Sequence, residues 1–459
     1  MAQATLARAS RRLALADLLR IGTPIILGQI GLILVSLADN IMVGKYHTDA
    51  LASASFVNNI FSVFFVLGLG FSYGLTPLVS QAHARQQSSR LGRLLRHSLL
   101  LNLAVGLLLS LLLVGVYAFL PSFDLAERLL PQVRSYYLLQ LASFMVFMAT
   151  GALKQFFDGI GRTIVPMWAI LLSNVLNVLG NYLLIFGALG CPELGLFGAG
   201  LSTLFARIFA LGVLLVALRY NRTLGVTYRY VRELRLHAAF LRRLFRLGFP
   251  IGVQMGVEAA AWTVAILLVT PLGVNALAVH QNLITLTLLG YFIYYGLGAA
   301  TTILVSRAHG EGDVARARSV VHVALLLAEL VALLVMSGLL LGRHWLGYIF
   351  SDDPAVVTMT ALAVIPMALY QPGDALQVIY GNALRGIEDV KRMTYYACGI
   401  HLVLAPLLSY AFGFHLGLTE PGAQLTAIWS SFPVSLLLLG ILLAIRFRWA
   451  TQRMAQQSA

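Results

Sequence analysis

The chain has 459 residues, 59% of them hydrophobic and 11% charged, with a formal net charge of +14, and its mean hydropathy is +0.84. This composition excludes a water-soluble domain with an ordinary core and points to a polytopic helical membrane protein. The 32 basic residues fall in short segments between apolar runs, so membrane topology accounts for them and nucleic acid does not.

The first twenty residues, MAQATLARASRRLALADLLR, are basic and amphipathic. They predict a cytoplasmic helix lying on the membrane surface over residues 1–17. Apolar segments of membrane-spanning length follow near 18–44, 52–80, 97–119, 134–157, 163–187, 197–218, 247–270, 277–305, 319–341, 354–382, 393–415 and 424–446. The fold class is therefore all-α, with twelve transmembrane helices. Of the basic residues, 27 lie in the N-terminus, the connections after even-numbered spans and the C-terminus. That bias puts both termini in the cytoplasm. The only cysteines, Cys191 and Cys398, fall near opposite faces, and no disulfide is implied.

A basic connector over 219–246 separates an N-terminal six-helix bundle, 18–218, from a C-terminal one, 247–446, which is followed by a tail, 447–459. The halves repeat. Residues 78–108 align without a gap on 304–334 at an offset of 226, sharing LVS-x-AH, and RIGTPI at 20–25 aligns with RLGFPI at 246–251. At an offset of 227, GIGR from Gly159 meets GIED from Gly386. Because each half has an even number of spans, the repeats are parallel and related by a pseudo-twofold along the membrane normal. Such a pair of bundles predicts a cavity opened alternately to each side.

In the tenth segment, Pro366 and the Pro372–Gly373 pair predict local unwinding, and the carboxylate of Asp374 stands beside it. Ionisable groups in a bilayer are costly and face pathways. Glu258 lies twelve residues past Arg246 and Asp374 eleven before Arg385, depths of roughly 18 and 16 Å at 1.5 Å per residue. Both fall near the middle of the membrane. Two carboxylates sharing a low-dielectric site resist being ionised together, which suits exchange of a proton, or of Na⁺ held by Glu258, Asp374 and Tyr370 with Asn282 as a helper. Asp39 lies 19 residues past Arg20 and six before Lys45, so by position it reads equally as a site or as a solvated headgroup-level acid. Asn177 and Asn181 add polar groups that by themselves read as helix glue. Glu329 on the ninth span reads as a packing or cavity-edge group. The acids do not follow the repeat: Asp39 aligns with Ala265, Glu258 with Leu32 and Asp374 with Phe147.

No G-x-x-x-x-G-K-[ST], H-E-x-x-H, paired cysteine set or G-x-S-x-G occurs, so neither ATP nor catalysis on a substrate has visible apparatus. The chain reads as a transporter, not an enzyme, and needs no cofactor.

Several stretches resemble the multidrug and toxic compound extrusion (MATE) family: ADNIMVGKY at 38–46, GLTPLVSQAHARQ at 74–86, the PLG-x-x-AL-AVHQ pattern at 271–281, GLGAATTILVSRAHGEGD at 296–313 and YQPGDALQVIYGNALRG at 370–386. The resemblance covers nearly the whole chain. It implies two six-helix bundles acting as a monomer that exports bulky amphipathic, often cationic compounds in exchange for Na⁺ or H⁺. Glu258 and Asp374 resemble the acidic pair of the NorM-like branch, and Tyr370 a tyrosine beside it. Asp39 is similar to the first-helix aspartate that binds cations in that family, with Asn177 and Asn181 similar to its polar partners. The DinF-like branch carries a second acid on the fifth helix where this chain has asparagine, which argues against a proton site of that type.

Two other readings compete. A lipid-linked precursor flippase would favour a basic cavity, yet Arg207 is the one arginine well inside a predicted span. A membrane-embedded glycosyltransferase would need a large outer loop, and the predicted outer loops are short.

Overall fold

The computed structural model describes the chain apart from residues 1, 124–125, 222–223, 232, 234–235 and 459. The helices in order are α1 (Ala2–Tyr46), α2 (Thr48–Ser72), α3 (Leu75–Ala84), α4 (Ser88–Ala118), α5 (Leu130–Gly159), α6 (Ile164–Phe186), α7 (Gly195–Tyr220), α8 (Gly225–Val231), α9 (Ala238–Val269), α10 (Val274–Glu311), α11 (Val314–Leu346), α12 (Pro354–Leu369), α13 (Gln371–Gly386), α14 (Val390–Cys398), α15 (Ala405–Phe414) and α16 (Pro421–Ser458). Among the described residues there is no strand. A π-helical stretch, Gly399–Leu404, joins α14 to α15.

Twelve helical stretches are long and apolar enough to cross a membrane, with α2–α3, α12–α13 and α14–α15 each acting as one. Every predicted apolar segment falls inside one of them or within a residue of its ends. The helices run further where basic residues flank the apolar run: α9 begins at Ala238, well before it, and carries Arg242, Arg243 and Arg246. Hydropathy marks only the part that lipid touches.

Three expectations differ from what is seen. The N-terminal lead is not a separate surface helix, because α1 continues unbroken from Ala2 to Tyr46. The unwinding expected near Pro372 shrinks to one residue, Tyr370, which keeps right-handed helical dihedrals (φ −75°, ψ −20°). Pro372 sits in the first turn of α13, where a missing N–H costs little. Lys154, which the charge pattern puts in a connection, lies within α5 and forms a 2.8 Å ion pair with the buried Asp158 one turn on.

By packing, the chain divides into two units, Met1–Ile26 with Val253–Ala459, and Leu27–Gly252. The divisions fall inside α1 and α9, two residues after the intrahelical prolines Pro24 and Pro250. In the Leu27–Gly252 unit, Phe61, Tyr137, Phe144 and Met148 are fully buried in one core. The first turns of α9 close against the α2–α3 junction: a side chain on Gly248 would meet the Phe71 carbonyl oxygen at 2.6 Å. The connector docks on α4, where Arg96 donates to the Glu233 carbonyl and His97 Nε2 accepts from the His237 backbone N–H at 2.9 Å.

In the other unit the core gathers around Trp429, Met367, Val364 and Leu283. Trp429 Nε1 donates to the buried His280 Nδ1 at 3.1 Å, a packing role for that histidine. Here the start of α1 lies on α10, with Gly22 facing Gly296 and Ala300.

The internal repeat reappears as repeated contacts. Ser80 Oγ donates to the Gly159 carbonyl at 2.8 Å, and Ser306 Oγ to that of Gly386 at 3.1 Å. A side chain on Gly159 would strike Val79 at 2.8 Å, and one on Gly386 would strike Val305 at the same distance. The shared LVS motif thus fixes how the second helix of each half crosses the fourth. Outward faces are apolar, as on α4, where Leu107, Leu108, Leu111 and Leu112 are all exposed, matching a lipid environment.

Candidate functional site

Polar residues gather at one place in each unit. In the unit containing Val253–Ala459, α9 contributes Glu258, half-buried, and α13 contributes Asp374, 5% exposed. Asp374 lies within electrostatic reach of Glu258, and Glu258 within reach of Arg385. Among the described residues neither acid forms an ion pair. Gln377 Nε2 donates to Asp374 Oδ1 at 3.0 Å, one turn along α13. Arg385 Nη2 donates to Gln254 Oε1 at 2.7 Å, and Gln254 precedes Glu258 by one turn of α9.

Tyrosines surround the pair. Tyr291 on α10 is within electrostatic reach of Glu258, Asp374 and Arg385, while Tyr294 is within reach of Asp374 and Glu329. Tyr294 donates to Gln371 Oε1 at 3.0 Å. Tyr370, 3% exposed, lies beside Asp374 and Thr287. Asp374 thus has both Glu258 and Tyr370 within electrostatic reach. Asn282 makes no hydrogen bond to this group among the described residues; it lies on α10 five residues before Thr287.

Sequence reasoning missed Tyr291, Tyr294, Gln254 and Arg385. Tyrosines are unremarkable in apolar helices, and Arg385 read as the marker of a span's end. The four-residue spacing of Gln254 and Glu258 was the available signal, since it puts both on one face.

In the Leu27–Gly252 unit, Asp39 on α1 accepts a short hydrogen bond to Oδ1 from Asn181 of α6. With the Asn177 amide oriented so that its oxygen accepts from Thr203 Oγ1 at 3.2 Å, its nitrogen donates to the same Asp39 oxygen at 2.8 Å. Asp39 thus joins the two asparagines that its resemblance named. A second chain of bonds runs beside it. Tyr136 donates to Asn58 Oδ1 at 3.3 Å, Gln140 Nε2 to the Tyr136 hydroxyl at 2.8 Å, and Ser143 to the Gln140 carbonyl at 2.9 Å. It ends at Arg207 of α7, which donates from Nη1 to Ser143 Oγ. The guanidinium lies 4.6 Å from the centre of the Phe65 ring and 5.9 Å from that of Phe147.

Carboxylates ringed by hydroxyl and amide groups inside apolar bundles suit a monovalent cation or a proton, since oxygen donors are at hand. Among the described residues no three His, Cys, Asp or Glu side chains cluster as a metal centre would need.

Comparison with known proteins gives a consistent result. The family model described as MatE matches residues 24–183 and 250–411, two copies whose starts are separated by the offset of the internal repeat. A protein named "Probable multidrug resistance protein NorM" from Bradyrhizobium diazoefficiens is 30% identical, covering 95% of this chain and 94% of its own. "Multidrug resistance protein MdtK" from Pectobacterium atrosepticum is 28% identical, covering 95% of both. Among solved structures, a crystal structure of MATE in the bent conformation superposes with a TM-score of 0.87 at 19% identity over 98% of each chain. A MOP superfamily transporter from Pyrococcus furiosus superposes at 0.84 with 20% identity over 96% of each.

Proposed function

Because the chain belongs to the MatE family, whose members are multidrug transporters and not enzymes, we propose that it is an antiporter of the inner membrane. It exports bulky amphipathic, often cationic compounds in exchange for Na⁺ or H⁺ by alternating access, as a monomer with both termini in the cytoplasm. The moving bodies are the two six-helix bundles read from the sequence as 18–218 and 247–446, with their boundaries shifted into α1 and α9 where the packing divides.

Glu258 and Asp374, assisted by Tyr370, form the coupling site. The observation that supports this reading is the pair itself: two carboxylates on different helices, without an ion pair among the described residues, among tyrosines inside an apolar unit. In low dielectric such a pair gains by holding a cation or proton and by exchanging it for a cationic substrate. Asp39 with Asn177 and Asn181 forms a second cation site.

Ethidium efflux from vesicles under a sodium gradient alone, then a proton gradient alone, tests the proposal. Efflux driven by at least one gradient is expected. Efflux driven by neither sinks the antiport reading.

Asp39→Asn is expected to slow initial efflux about tenfold, the worth of one charge-assisted interaction. Wild-type rates under both gradients would remove the N-terminal cation site.

A further inference from the structure

Arg207 is the charged group for which coupling by carboxylates leaves no task. It lies twelve residues from the start of α7 and thirteen from its end, roughly 18 and 20 Å from either, and so at mid-span. An arginine at such depth is costly and persists where it faces a pathway or a partner. The repeat does not require it, since at an offset of 226 its counterpart is Pro433.

Its surroundings narrow what it can do. Asp39 is the acid whose charge reaches it, yet Asp39 is bonded to Asn181 and Asn177. Among the described residues no carboxylate lies within ion-pair distance of Arg207. One guanidinium nitrogen is engaged with Ser143. The face of the group rests on Phe65, and Phe65 packs against Phe144 and Phe147 with ring centres 5.3 and 4.8 Å apart. Stacking of this kind holds the plane of the fork while leaving its edge to receive a planar anion. Thr203, which bonds Asn177, lies one turn before Arg207, so the Asp39 cluster and the guanidinium share one face of α7.

We infer that Arg207, with the aromatic bed of Phe65 and Phe147, is a subsite for the carboxylate of zwitterionic aromatic substrates, whose cationic end lies toward Asp39. A single guanidinium matches one carboxylate; a lipid pyrophosphate, with more charge to neutralise, would need more cations than this cluster holds. The inference deepens the exporter reading by naming a substrate class, and it rests on that reading. Its test needs no gradient, so a failure of coupling leaves it intact.

Equilibrium binding of rhodamine B, a zwitterion, and of its ethyl ester, a cation lacking only the carboxylate, is measured by fluorescence polarisation with purified wild type, Arg207→Gln and Arg207→Lys. Arg207→Gln is expected to weaken rhodamine B about tenfold or more, as loss of charged hydrogen bonds does, and to leave the ester within about twofold. Arg207→Lys keeps the charge without the fork, so it should lose part of the rhodamine B affinity and none of the ester's, and it carries the test if the glutamine variant does not fold. Equal losses for both dyes, or no loss for either, would overturn the inference.

Discussion

Asp374→Asn, or Glu258→Gln, is expected to abolish drug-stimulated cation flux in proteoliposomes while the protein stays folded. Each amide keeps the shape of the side chain and its capacity for hydrogen bonds, so Gln377 can still bond position 374. What disappears is charge. At an effective dielectric of about 20, a carboxylate about 4 Å from a cation attracts it by about 4 kcal/mol. Losing that attraction lowers occupancy about a thousandfold, and exchange falls to background. Folding should be spared, because the native acids sit without an ion pair among the described residues and a neutral amide is easier to bury. Flux at the wild-type level in both variants, with ethidium efflux measured in parallel, would leave the pair without a role.

The second large effect is on folding. Gly248→Ala is expected to destabilise the protein by about 3 kcal/mol, the upper range for overpacking, whereas Gly22→Ala, at the equivalent position of the first half, should cost clearly less. A methyl group on Gly248 would sit 2.6 Å from a backbone oxygen of Phe71, and backbone cannot step aside; one on Gly22 would meet the Gly296 carbonyl at 3.3 Å and Ala300 at 3.6 Å. Thermal unfolding of the two variants in detergent compares them directly. Equal stability would mean that the α2–α3 junction yields where its geometry says it should not.

These cases also mark what could be read from the residues. The twelve spans were legible because lipid imposes run length directly on the chain. The repeat was legible because Ser80 and Ser306, inside the shared LVS motif, make the same inter-helix bond in each half. Asp374 and Glu258 stood out because a charge in an apolar run is conspicuous. Tyr291 and Tyr294 did not stand out, since which rings of an aromatic-rich helix turn inward depends on how α10 meets α13, and no periodicity of one helix encodes that. Arg207 was visible as an oddity, while its aromatic bed comes from α2 and α5, far away in sequence. The proline break was overestimated because a proline reads alike whether it interrupts a helix or begins one.

The crossing of α1 and α9 from one unit into the other carries a consequence for biogenesis. As the ribosome delivers the chain, residues up to Ile26 emerge first, but the surface they pack on, including Gly296 and Ala300, is made only after the whole Leu27–Gly252 unit. Likewise the Leu27–Gly252 unit is incomplete until the opening turns of α9 have been translated. A nascent first half released alone is therefore an orphan lacking one strut and holding another with nowhere to rest.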